Sequence, residues 1–216
     1  PARRKYLKSD TTELNHIIGT VTEIALAFPE IHFRLTSNDH VIFDAARSEE
    51  PLDRIRALLG KDTASHLIPI FYGGEHIQMK GFIGKPEITR GTKFAQHLFV
   101  NQRPIKNNAL AYAVSEGFHT LMPQGRYPVF LMNIGIDPSL IDVNVHPRKL
   151  EIRFQNQEAL FQIIKKVVKT SLETHVLAPK ISLFRPHFQT NGQEESMSEP
   201  NGTSDRKHMP LTPSLY

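Results

Sequence analysis

Apolar positions recur along most of the chain with one of two periods, and each period predicts an element. In residues 9–28, Leu14, Ile17, Ile18, Val21, Ile24, Ala25 and Phe28 recur at helical spacing, which predicts a helix with that face turned inward. Ser9 or Asp10 is suited to cap it, Glu13 adds a favourable charge in the first turn, and Pro29 stops it. Residues 31–46 change to alternation: Ile31, Phe33 and Leu35 are separated by polar residues, and Val41-Ile42-Phe43 begins a return strand after the turn at Ser37-Asn38-Asp39-His40. A short helix is predicted over 51–60, with Pro51 in its first turn and Gly60 at its end. Strands at about 67–72 and 77–84 flank a Gly73-Gly74 turn.

The second half reads as strand, helix, strand. Residues 96–105 begin as an apolar strand and end in polar residues. Residues 108–122 predict a helix with Leu110, Ala113, Val114, Phe118 and Leu121 inward. Residues 127–136 are nearly all apolar, which predicts a strand buried on both faces. This order is a βαβ crossover. A loop at 137–148 then leads to a short strand at 149–154. The last helix, 156–175, is expected to turn Leu160, Ile164, Val167, Val168 and Ser171 inward and Lys165, Lys166 and Lys169 outward to solvent. Past Ala178 the chain is rich in Ser, Asn, Gln, Glu, Pro and Thr, too poor in apolar residues to offset the entropy of ordering. The expectation is one α+β domain over residues 1–178 and a disordered linker or tail over 179–216.

Composition narrows the function classes. Charged residues are 22% and hydrophobic residues 39% of the 216, as in ordinary globular proteins. No apolar run is long enough to span a membrane, and the basic start Pro1-Ala2-Arg3-Arg4-Lys5 has no apolar stretch behind it, unlike a signal peptide. A chain beginning with Pro1 rather than Met is expected of a piece of a longer protein. The absence of cysteine excludes disulfides, thiolate zinc sites and cysteine nucleophiles. The eleven histidines are scattered without a His-x-x-x-His pair or an acidic cluster, so no metal site is expected. A formal charge of +4 is compatible with a polyanionic partner.

The most informative segment is Asp142-Val143-Asn144-Val145-His146-Pro147-Arg148-Lys149-Leu150-Glu151-Ile152-Arg153-Phe154. Asp142 and Asn144 can hydrogen-bond local backbone in a turn. Pro147 fixes one dihedral and biases His146 toward an extended conformation. Arg148-Lys149 then sets two cations on a stiffened loop, and Ile152 and Phe154 anchor the return strand. An ammonium so held offers three donors and no acceptor, which suits a terminal phosphate. The plainer reading is a solvated turn with ordinary surface charges.

The segment resembles the DVNVHPxKxEVRF signature of the MutL family of DNA mismatch repair proteins, with Ile152 in place of Val. Leu98-Phe99-Val100-Asn101-Gln102-Arg103 resembles that family's FVNGR strand end, with Gln102 in place of Gly. Pro1 to Leu7 resembles its PARRKFL segment. The resemblance runs from Pro1 to about Leu172. It implies a ribosomal-protein-type two-layer fold with a left-handed βαβ crossover, contrary to the usual hand. It implies that Lys149 reaches the γ-phosphate of ATP, bound with Mg2+ mainly by a preceding GHKL-type ATPase domain. Asn101, Asp142, Asn144, His146 and Pro147 would then be structural residues of the motifs.

The resemblance further implies that ATP binding is coupled to homodimer closure. Implied partners are duplex DNA, met in part by Arg103 and Lys106, and MutS with downstream nuclease or helicase factors. The expected location is cytoplasmic and nucleoid-associated. The residues of the GHKL pocket do not occur in this chain, so ATP hydrolysis is expected only of a longer protein. Gln102 is expected to alter the turn, and Asn107-Asn108, standing where relatives often carry charge, to lower DNA affinity through this loop. Arg3, Arg4 and Lys5 are expected to pack at a domain junction. Two other readings fit fewer motifs: the second domain of a topoisomerase- or Hsp90-type ATPase, whose Gln-Thr-Lys loop is absent here, and a stand-alone RNA-binding module on a ribosomal-type fold.

Overall fold

A computed structural model describes residues 7–142 and 152–177. The chain divides into two units, Pro1–Pro179 and Lys180–Tyr216. The second unit, and with it the expected tail, lies outside the described residues, as do Arg3, Arg4, Lys5, Asn144, His146, Pro147 and Lys149.

The first unit is α+β and is built on a five-stranded sheet in the order β3-β4-β7-β5-β6. Its strands are β3 (Leu67–Gly73), β4 (Ile77–Gly84), β5 (Gln96–Val100), β6 (Arg103–Ile105) and β7 (Phe130–Ile136). Neighbours run antiparallel except β5 and β7, which are parallel. Two parallel strands cannot be joined by a hairpin. The connection is β6 and α4 (Asn108–Phe118), which makes the expected βαβ crossover. The alternate residues Phe130, Met132, Ile134 and Ile136 of β7 join Met79, Ile83, Leu98 and Val100 in one core. Helix α4 and helix α5 (Gln157–Leu172) close that core with Leu110, Val114, Phe118, Leu160, Ile164, Val168 and Leu172. The two helices approach closely at Gly117, where an added Cβ would lie 2.6 Å from the Val168 Cβ.

The opposite sheet face is covered only in part. Phe99, Leu131, Phe82 and Leu67 pack there against Leu26, Ile55 and Ala64. These last come from α1 (Asp10–Ala27), α2 (Pro51–Leu59) and α3 (Lys61–Ser65). The arrangement thus exceeds two layers locally, because these four large apolar side chains need cover. It also corrects the expectation for β7: Leu131, Asn133 and Gly135 are half-buried, not fully buried, since α1–α3 leave part of the face open.

Local sequence accounts for most boundaries. Ser9 caps α1 by accepting from the Thr12 amide, and Asn107 and Asn156 do the same for α4 and α5 at Leu110 and Ala159. The hairpin β1 (Phe33–Ser37) and β2 (His40–Ala45) turns through Asn38 and Asp39, both with positive φ, the geometry that matches strand twist. Arg54 of α2 is buried and donates to the Ala45, Pro29 and Ile31 carbonyls, tying this hairpin to the end of α1.

Several boundaries and faces differ from expectation. Ile17 and Ile24 are 50% and 38% exposed, while Leu26 is buried instead, in the cluster with Ile55, Ala64 and Phe99. Helix α4 ends at Phe118 and passes into a 3-10 turn. Helix α5 ends at Leu172, which is buried in the place assigned to Ser171, and runs on as a π turn. Lys165 is not a simple solvated charge: its Nζ lies 3.1 Å from Glu116 Oε2 on α4. No described helix is long and apolar enough to cross a membrane.

Candidate functional site

Residues 96–105, expected to begin as an apolar strand and end in polar residues, form a tight hairpin. Strand β5 turns through Asn101 and Gln102, with φ of 49° and 65°, into β6. Left-handed backbone is natural for Asn and costs other side chains about 1–2 kcal/mol. Gln102 adopts it, and its amide donates to Asn133 Oδ1 at 3.2 Å.

Asn101 does more than turn the chain. Its amide donates to the Ile134 carbonyl at 2.9 Å. Its side-chain Nδ2 donates to the Ile136 carbonyl at 2.9 Å, and its Oδ1 accepts from the Ile136 amide at 3.0 Å. The carboxamide thus imitates one more residue of β5 and extends the parallel ladder to the last residue of β7. This clamp holds the tip of the Arg103 hairpin against the point where the chain leaves the sheet toward the signature segment.

The described ends of that segment are themselves paired. After a short turn at Pro138–Leu140, capped by Asp137 accepting from the Ser139 amide, Ile141 and Asp142 form β8. Strand β9 (Arg153–Phe154) runs antiparallel to it, with Asp142 opposite Arg153 and Ile141 opposite Phe154. Ile152 and Phe154 are buried in the main core, which confirms the expected anchors. The Gln155 amide donates to the Leu140 carbonyl at 3.0 Å and locks the base from below. Residues 143–151 with Lys149 lie between these paired ends, outside the described residues.

Arg103 and Lys106 are both exposed. Lys106 lines two adjoining clefts of about 390 and 430 Å³ beside α1; Arg103 lines neither. Glu23 on α1 lines both clefts and its carboxyl pKa is raised by burial, an effect Lys106 partly offsets. Asn107 is occupied as the α4 cap, its Oδ1 accepting from the Leu110 amide at 3.0 Å. A cation at that position would forfeit the cap. The second cleft is also lined by His97, buried, its Nδ1 without a partner among the described residues and its pKa pushed down to about 4 by burial. Sequence reading did not single out His97, nor Arg90, Lys93 and Phe94 around the clefts. The interleaving of cations with an aromatic over 90–97 was the available signal. Among the described residues no group of three or more His, Asp or Glu converges to hold a metal ion.

Comparison with known proteins bears on this arrangement. A family model described as the C-terminal domain of DNA mismatch repair protein matches residues 55–173, more than half of the chain. The DNA mismatch repair protein MutL of Anoxybacillus flavithermus is 37% identical over 211 residues, covering 95% of this chain and 35% of that protein. MutL of Halalkalibacterium halodurans is 39% identical over 198 residues, covering 91% and 30%. The chain spans about a third of the length of these relatives. Among solved structures, the N-terminal domain of a DNA repair protein shares the fold with a TM-score of 0.70 at 22% identity, over 82% of this chain and 58% of that one. The Aquifex aeolicus MutL ATPase domain complexed with ADP does so at 0.54 and 18%, over 78% and 52%. With its signature segments, its fold and more than half its length matched, the chain belongs to the MutL family of DNA mismatch repair proteins.

Proposed function

We propose that residues 1–178 are the transducer domain of a MutL protein, followed by linker from 179, and that Lys149 completes the ATP site of a GHKL ATPase domain. On this reading the ammonium of Lys149 meets the γ-phosphate, and ATP with Mg2+ is bound mainly by the other domain. The role is electrostatic: a preset positive charge stabilises the terminal phosphate and the charge that develops on it during hydrolysis. The observation that carries the reading is the paired base at Asp142 and Arg153, with Ile152 and Phe154 buried beneath it. A segment anchored at both ends loses less entropy when its lysine is fixed on a ligand. The match of 142–154 to the family signature supports Lys149 as that residue.

The finer fold assignment belongs to the same proposal: a ribosomal-protein-type domain whose β5-α4-β7 crossover is left-handed. So do the coupling of nucleotide state to homodimer closure, contact with MutS and downstream nuclease or helicase factors, and duplex DNA binding in part through Arg103 and Lys106. A charged residue bound by one terminal phosphate transmits that phosphate's presence to its whole domain, because the domain moves with its loop. The test is ATP turnover by this chain joined to a GHKL ATPase domain. Lys149→Ala should lower the hydrolysis rate by roughly 100-fold or more, the scale of losing one preset transition-state donor. Turnover equal to the parent would refute the role given to Lys149.

A further inference from the structure

Phe94 is 89% exposed, an unusual position for an aromatic ring. It is not on a loose loop. The backbone on its N-terminal side is clamped by paired hydrogen bonds between Arg90 and Tyr127, at 2.8 and 2.7 Å, and by the Arg126 guanidinium donating to the Thr89 carbonyl. On its C-terminal side the chain enters β5 within two residues. The ring therefore stands out from a fixed base.

Phe94 also lines both clefts described above. Lys106 lines both as well, Arg90 lines one, and Lys93 lines the other. Lys93 is itself oriented, with Nζ 5.5 Å from the Tyr127 ring centroid and 3.5 Å from Asn108 Oδ1. Among the described residues none of these three cations forms an ion pair within 4.0 Å. Among the described residues the one carboxylate lining either cleft is Glu23, whose charged form burial disfavours.

We propose that Phe94 is a stacking platform for an unpaired nucleobase, with the flanking backbone phosphates held by Arg90 in one cleft, by Lys93 in the other and by Lys106, which lines both. This rests on the nucleic-acid reading made above and narrows it to strands with unpaired bases. Every base has a π-face, so an exposed ring between fixed cations binds single strands with little sequence preference. Inside a duplex the bases are stacked on one another and cannot reach the ring, whereas the cations serve either kind of strand.

Binding of this chain to labelled oligothymidylate, to an abasic oligonucleotide of equal length and charge, and to a blunt duplex is measured by fluorescence anisotropy over a range of salt. Phe94→Ala should weaken oligothymidylate binding by roughly 5- to 150-fold and leave the abasic and duplex ligands within about twofold, while Phe94→Tyr retains the parent affinity. Lys106→Ala should weaken all three ligands and reduce the salt slope by about one. The proposal is overturned if Phe94→Ala weakens all three alike or none. It is also overturned if the parent binds the abasic strand as tightly as oligothymidylate. Duplex binding insensitive to Phe94 leaves the duplex reading standing while this one fails with the oligothymidylate result. Absence of binding to every ligand removes both.

Discussion

Replacing Asn101 by Ala probes the link between the hairpin that carries Arg103 and the strand that leads to the signature segment. The carboxamide satisfies both the N–H and the C=O of Ile136, a residue only 8% exposed. Each such bond contributes roughly 1 kcal/mol net, and up to about 3 kcal/mol when its loss strands a buried group. Ala must also hold the left-handed backbone that Asn tolerates, at a further cost of about 1 kcal/mol. The sum is about 3–4 kcal/mol, a large part of the roughly 5–15 kcal/mol that holds a domain folded. In urea, with a slope of about 2 kcal/mol per M, the midpoint should fall by roughly 1.5–2 M with the slope unchanged. Asn101→Gly loses the clamp but accepts the turn, so it should fall less than Asn101→Ala. Amide exchange should show the Ile136 N–H losing protection in both variants. An Ala variant whose midpoint stays within about 0.3 M of the parent would refute the clamp as a source of stability.

Two other outcomes follow from the same geometry. Gln102 holds φ of 65°, so Gln102→Gly should raise stability by about 0.5–1 kcal/mol, the relief of left-handed strain less the added freedom of the unfolded chain; a lower Tm would contradict this. His97 is held neutral by burial, with its pKa near 4 against 6.5 for the free group. The unfolded chain therefore takes up a proton at His97 that the folded one does not. The associated stability is complete above about pH 6.5 and declines as pH falls toward 4, by roughly 3 kcal/mol in all. His97→Phe should remove that part of the pH dependence, and an unchanged slope in the variant would place the titration elsewhere.

How far the sequence could be read depended on the range of the interaction involved. Helices α1, α4 and α5 were legible because their caps and apolar periods are local: Ser9, Asn107 and Asn156 each bond an amide in the next turn. The β3–β4 hairpin was legible for the same reason. The turn at Asn101-Gln102 was expected only from the resemblance to the FVNGR strand end and not from local pattern, because neither residue is Gly and β6 is too short to show alternation. The Asn101 clamp was beyond reach, since its partner Ile136 is distant in sequence and adjacent only through the parallel pairing of β5 and β7. Burial of β7 was overread because an apolar run does not say how much of a sheet face its neighbours cover. The clefts around Phe94 need α1 and the 90–97 segment in one place, which no local pattern specifies. The anchors Ile152 and Phe154, by contrast, were found from the sequence, because alternation beside a turn is a local signal.

The most direct measurement is a structure of this chain joined to a GHKL ATPase domain, with a non-hydrolysable ATP analogue and Mg2+ bound. The account predicts the Lys149 Nζ within hydrogen-bond reach of a γ-phosphate oxygen, about 2.7–3.2 Å. A closed, nucleotide-bound state in which that ammonium contacts only solvent or protein would contradict it.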